Sequence, residues 1–248
     1  MFTPNSSRKI IVNADDFGRS AEVNRAIVEA FHKNVISSAT LMTNMPGFQE
    51  ACELAHSHRL LGKIGLHLNL TEGYPLSDPI RQCVRFCDDV GMLRRRQTRF
   101  RLSQEEKLAL ETEIAAQIKA CLDRGVCPTH LDSHHHVHTE WAIGAAAITV
   151  ARRYGIRAIR LSRNCGPGID FVRRVYKWLY NTRLRTYGLA KTRYFGSSAD
   201  VQEILATTSG NIEIMVHPTC EDADENPDLR EDIGLDRSFI THQLTSYL

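Results

Sequence analysis

Short apolar runs that stop, one after another, in reactive side chains constrain this fold more than any other feature of the chain. Lys9–Asn13 leads into Asp15-Asp16. Ile64–Leu70 carries His67 and Asn69. Thr129–Ser133 passes through Asp132 into His134, and Ile212–Val216 stops at His217. Amphipathic helical patterns lie between them. One follows Ser20 as N-cap and puts Val23, Ile27, Ala30 and Phe31 on a single face. Another opens with the Ser103–Glu106 capping box, is expected to bury Ile114, Ile118 and Leu122, and is stopped by Gly125 and Pro128. Strand–helix alternation of this kind predicts a parallel α/β architecture. Barrels and open doubly wound sheets both gather ligands at the C-terminal ends of their strands. Ile64–Leu70 separates the two. Ile64, Leu66, Leu68 and Leu70 share one face, and Gly65, His67 and Asn69 share the other. A strand covered by helices on both sides is apolar on both. A polar inner face therefore favours a barrel.

The 248 residues fit one such domain, 1–248, without a second unit. Val35–Met42 and Arg157–Leu161 complete the expected strands. Helices are expected from Pro46, over Trp141–Tyr154 and over Phe171–Tyr187. Residues 71–102 read as irregular, with a basic stretch at Arg94, Arg95, Arg96, Arg99 and Arg101. The acidic segment 221–232 reads as loop plus a short helix. Seven cysteines, an odd number with no CxxC spacing, point to reduced thiols in place of disulfides or a zinc knuckle. A net charge of +2 gives no footprint for nucleic acid or membrane. The polar opening residues and the lack of a long apolar run predict a cytoplasmic location.

Two adjacent carboxylates, Asp15 and Asp16, repel each other unless a cation stands beside them. Alone, the pair reads as a turn cap. Thr129–His138 holds five of the eleven histidines. If that run is extended, His134, His136 and His138 share a face, with Asp132 close enough to orient one of them. That density at a strand end predicts a metal site. His67 and His217 taken singly are weaker signals. No GxSxG elbow, P-loop, GxGxxG turn or HExxH helix is present, and the basic stretch lacks interleaved aromatics apart from Phe100.

Taken together, these blocks resemble the YdjC-like carbohydrate deacetylase family. The resemblance rests on Asn13–Gly18, on Asn24, Ser37–Met42 and Asn44, on Gly65–Gly73 with Pro75-Leu76, on Pro128–His138, and on Val216–Pro218, all in the family's order. It covers a core of 9–218 and leaves a variable loop, 77–102, and a tail, 219–248, outside the match. It implies a distorted (β/α) TIM-like barrel and one divalent metal ion, magnesium or zinc, held by Asp16, His67 and His134. Asp15 would be the base, and His217 the acid or oxyanion stabiliser. Asn69, Asp132, His136 and His138 would bind substrate or support the metal ligands. The implied reaction is N-deacetylation of an acetylated amino sugar or short chito-oligosaccharide, a small carbohydrate partner, in a family that often forms homodimers. Another mononuclear metallohydrolase, such as a phosphoesterase or other amidase, and a non-catalytic metal- or sugar-binding protein are the competing readings.

Overall fold

The computed structural model describes residues 8–95, 101–166, 168–200, 206–207, 209–218 and 244–247. Six parallel strands form one sheet: β1 (Ile10–Phe17), β2 (Ser38–Leu41), β3 (Ile64–Leu68), β4 (Leu131–Ser133), β5 (Tyr194–Ser197) and β6 (Ile212–Val216), in the order β4-β3-β2-β1-β6-β5. The helices are α1 (Ala21–His32), α2 (Phe48–Ser57), α3 (Asp78–Arg81), α4 (Gln104–Asp123), α5 (Trp141–Arg153) and α6 (Phe171–Thr186). Parallel neighbours require crossover connections, and most of these helices supply them.

The sheet curls. Leu131 N donates to Ala158 O and Arg160 N to Leu131 O, while Asn164 N donates to Phe195 O at 3.3 Å. The segment 158–164 thus touches both edge strands, β4 and β5. Of the expected TIM-like barrel, the described residues form a curled six-stranded half-barrel, with no ladder closing β4 onto β5 among them. Arg157–Leu161 is not a full strand: it meets β4 through one bridge, Leu131 to Ile159. Strand β5 has no counterpart among the expected strands.

Alternation on these strands sorts side chains into two environments. Ile10, Val12, Ala39, Leu41, Ile64, Leu66, Leu131, Ile212 and Ile214 join the apolar core. Asn13, Asp15, Thr40, His67, His130, Asp132, Arg160 and Glu213 are buried too, each at 1 % exposure or less. Burying polar groups is costly unless each finds a partner. Here they partner one another, as described below. Gly65 belongs to this interior because a Cβ there would lie 2.5 Å from the His130 ring.

Local signals act as the sequence predicts at two helices. Ser20 caps α1, and Ser103 with Glu106 forms a complete capping box on α4. α2 begins at Phe48, two residues past Pro46. The region 71–95 is mostly irregular but includes α3. Within it Arg94 Nε donates to Cys87 O at 2.7 Å, while Arg96, Arg99 and the acidic segment 221–232 lie outside the described residues. Six of the cysteines are free, and Cys220 lies outside the described residues. Among the described residues no helix is long and apolar enough to cross a membrane.

Candidate active site

β1 runs four residues further than its apolar run, and that extension builds the site. Its pairing with β2 shifts between Ala14 and Phe17, the mark of a bulge. Asp16 there takes a φ of +70°. A bulge re-aims side chains, and a non-glycine residue in the left-handed region is held there by its surroundings. The following turn is pinned by Asn24, whose Oδ1 accepts from Gly18 N at 2.7 Å and whose Nδ2 donates to Gly47 O and Glu50. Gly18 has φ +89°, and a Cβ there would meet Met42 O at 2.7 Å. Both Asp15 and Asp16 are thereby buried.

Asp16 Oδ1 is the meeting point of two imidazoles, with His67 Nε2 at 3.1 Å and His134 Nδ1 at 2.9 Å. Each ring is held at its far nitrogen by another carboxylate. His67 Nδ1 lies 2.7 Å from Asp132 Oδ1, and His134 Nε2 lies 3.1 Å from Glu72 Oε2. A carboxylate at the far nitrogen fixes the tautomer, because the ring proton is given to it. The near nitrogens then aim lone pairs at Asp16, an arrangement that needs either an extra proton on each ring or a cation where the three atoms converge. Burial disfavours a charged His67, but Asp132, Asp16 and Asp15 outweigh it and raise its pKa to about 10. Burial acts to raise Asp16 as well, yet the hydrogen bonds from His134 and His67 hold it far below the usual carboxylate range. Two nitrogens and one oxygen converging in this way fit a divalent ion with open positions for water and substrate.

Asp15, His67 and Asp132 form a second convergent group. Its cation position is already filled by Arg160, which is not among the residues expected from the sequence. Arg160 Nη1 reaches Asp15 Oδ2 at 2.7 Å and Asp132 Oδ2 at 2.6 Å, Nη2 reaches Asp15 Oδ1 at 2.7 Å, and Nε reaches Glu213 Oε1 at 2.5 Å. One fork-shaped guanidinium thus binds three carboxylates, a geometry lysine cannot copy. Burial would raise Asp15, but Arg160 pulls its pKa below the ordinary value. Asn13 Nδ2 adds a bond to Asp15 Oδ1 at 3.0 Å.

The other expected residues fall into distinct places. Asn69 is buried and ties down the loop after β3. Its Oδ1 accepts from Thr71 N and Glu72 N, and its Nδ2 donates to Glu72 O at 2.8 Å and Asn44 Oδ1. It thereby presents Glu72, which Arg19 bridges to Asp16. The expected extended run through His134, His136 and His138 is not formed. His134–Thr139 is a tight turn in which His135 and His136 have φ of +52° and +56°, so the three rings do not line one face. His138 Nδ1 meets Ser133 Oγ at 2.6 Å, and its carbonyl accepts from Tyr180 Oη at 2.7 Å. Burial lowers the pKa of His136 to about 4 and of His138 to about 3, helped by Arg160 in both cases. The buried His136 Nδ1 and His138 Nε2 have no hydrogen-bond partner among the described residues. His217 is exposed just past the end of β6.

The family model described as YdjC-like protein matches residues 9–243. A carbohydrate deacetylase of Brevibacillus brevis is 36 % identical over 223 residues, covering 85 % of this chain and 81 % of the relative. One of Halalkalibacterium halodurans is 35 % identical over 213 residues, covering 85 % and 84 %. Among solved structures, an Enterococcus faecalis V583 protein, proposed to be a cellobiose-phosphate cleavage protein, superposes with a TM-score of 0.73 at 24 % identity. It covers 98 % of both chains, and this likeness concerns the fold.

Proposed function

Because this chain belongs to the YdjC-like family, we propose that it is a carbohydrate deacetylase that hydrolyses the acetamide of an N-acetylated amino sugar or short chito-oligosaccharide with the help of one divalent metal ion. The observation that carries the reading is the convergence of His67 Nε2 and His134 Nδ1 on Asp16 Oδ1, beside an Asp15 carboxylate clamped by Arg160. Curated relatives of similar length bear the name carbohydrate deacetylase, which supports the reaction class.

Asp16, His67 and His134 would hold the ion. Two imidazoles and a carboxylate suit zinc and its transition-metal neighbours better than magnesium. When bound, such an ion polarises a carbonyl oxygen and acidifies a water molecule. Asp15 takes the proton of the attacking water. Arg160 keeps that carboxylate ionised and oriented, and Oδ2, which among the described residues accepts from Arg160 alone, retains a lone pair for the proton. Asp132 and Glu72 hold the two histidines in the tautomer that leaves the near nitrogen free. His217, exposed at the strand end, protonates the departing amine. His136, with its unpartnered Nδ1, is the second candidate for that step, and His217→Ala against His136→Ala separates them by rate. The half-buried Glu72–Arg19 pair borders the same opening and offers polar contacts to sugar hydroxyls.

The test is acetate release from di-N-acetylchitobiose and longer chito-oligomers, with phosphate release from phosphosugars run alongside. Acetate release that stops with a chelator supports the proposal. Phosphate release without acetate would move the protein to the phosphoesterases.

A further inference from the structure

Below the Asp15–Asp132 level the sheet interior holds a second polar layer that the reaction just described leaves unused. It comprises Glu213 from β6, His130 before β4, Asn13 from β1, and Tyr247. The segment carrying Tyr247 is placed by β1: Leu244 bridges Ile10, and Thr245 N donates to Ile10 O at 2.9 Å. From there the Tyr247 hydroxyl donates to Glu213 Oε2. Its ring stacks on His130, with centroids 3.7 Å apart and planes 14° from parallel. His130 Nε2 in turn meets Asn13 Oδ1 at 3.1 Å, and Asn13 Nδ2 holds Asp15.

We propose that Tyr247 is a positioning residue for the reaction: by holding Glu213 it sets the plane of the Arg160 guanidinium that clamps Asp15 and Asp132. The proposal rests on the reading of Asp15 as the base. A guanidinium is planar, so fixing Nε fixes the direction of both Nη atoms. Glu213 Oε1 fixes Nε at 2.5 Å, and the Phe195 ring lies 4.9 Å from the guanidinium carbon. Glu213 is fully buried, so an Oε2 without a donor would be a costly unsatisfied group. Without the tyrosine hydroxyl, the carboxylate lowers that cost by turning Oε2 toward Arg160. That turn pulls the guanidinium off the line joining Asp15 and Asp132. The stack on His130 fixes the approach of the ring, and Gly65 leaves the space that the imidazole fills.

Tyr247→Phe keeps the stack and removes one oxygen. We expect kcat for acetate release to fall about tenfold with KM and bound metal unchanged, a split that a loss of folded protein does not produce. The Arg160 Nε–H, protected from solvent exchange in the parent by its bond to Glu213, is expected to lose that protection in the variant by nitrogen-15 NMR. Glu213→Gln is expected to give the same two changes, and adding Tyr247→Phe to it should cost little more. A folded Tyr247→Phe protein with parental kcat, or with an unaltered Arg160 Nε–H signal, overturns the proposal. If Tyr247→Phe does not fold, Glu213→Gln decides by the same two readouts. The NMR readout needs no turnover, so it stands apart from failure of the deacetylase reading itself.

Discussion

His67 lies between two carboxylates, 2.7 Å from Asp132 through Nδ1 and 3.1 Å from Asp16 through Nε2. That spacing makes the imidazole a relay of position. Asp132 holds the ring, and the ring presents Nε2 to the place where a bound cation would neutralise Asp16 beside His134. Arg160 bonds Asp132 as well as Asp15, so the proposed base and the support of a proposed ligand share one anchor.

Loss of a ligand and loss of the base should part company. His67→Ala and His134→Ala are expected to lose bound metal and activity together. Asp15→Asn should keep its metal and lose about 10²–10⁴ in rate. Metal analysis of the purified variants beside their acetate-release rates checks this, and equal metal loss in all three would remove Asp15 from the role of base.

Carboxylates that orient ligand histidines act on affinity. Asp132→Asn and Glu72→Gln are each expected to weaken metal binding by about 10- to 100-fold. Glu72 should have the smaller effect, since its side chain is about a third exposed whereas Asp132 is fully buried. Competition titration with a chromophoric chelator measures both.

Arg160→Lys keeps the charge and loses the fork. The expected result is a rate loss of about a hundredfold, since Asp15 and Asp132 cannot both be held by one ammonium group. Unfolding stability should fall by about 3 kcal/mol, because three buried carboxylates lose their guanidinium bonds and keep only their remaining partners. Denaturant unfolding and initial rates on the same preparation read the two effects.

Acid should destabilise the fold through its buried neutral histidines. Burial depresses His130 and His138 to about 3, from an ordinary value of 6.5. The unfolded chain therefore takes up these protons first as pH falls. Each group's stabilisation is complete above pH 6.5 and is lost progressively between about 6.5 and 3. His67, raised to about 10, acts in the opposite sense: its contribution is complete below pH 6.5 and is lost as pH rises toward 10, unless a metal ion replaces the proton. His138→Gln is expected to flatten the acid limb of stability against pH by about 1.4 kcal/mol per pH unit. An unchanged slope would show that His138 titrates normally in the folded protein.

Much of this site was legible in the sequence because strand ends announce themselves. Asp15-Asp16 and His134 follow apolar runs and His67 and Asp132 lie within them, but only the family resemblance assigns the ligand set among them; the structure brings these residues together. Arg160 and Glu213 were missed although their signal was present. Ile159-Arg160-Leu161 and Ile212-Glu213-Ile214 each place one charge at an inward position of an apolar strand, and two such charges of opposite sign imply a buried pair. Glu72 sits in a loop, where periodicity says nothing about direction. The histidine run misled because spacing assumes a regular backbone, and the left-handed conformations of His135 and His136 destroy that regularity. Strand β5, Tyr194-Phe195-Gly196-Ser197, is too short and too polar to stand out, and it is held by its pairing with β6.

In the proposed reaction one divalent ion on Asp16, His67 and His134 enables amide hydrolysis of an acetylated amino sugar. The direct measurement strips the protein with a chelator, adds zinc or magnesium back in steps, and follows acetate release from di-N-acetylchitobiose at each step. Acetate release is expected to rise in proportion to bound metal, to saturate at one ion per chain, and to fail to return in His67→Ala. Full acetate release from stripped protein, or recovery in His67→Ala equal to that of the parent, would contradict it.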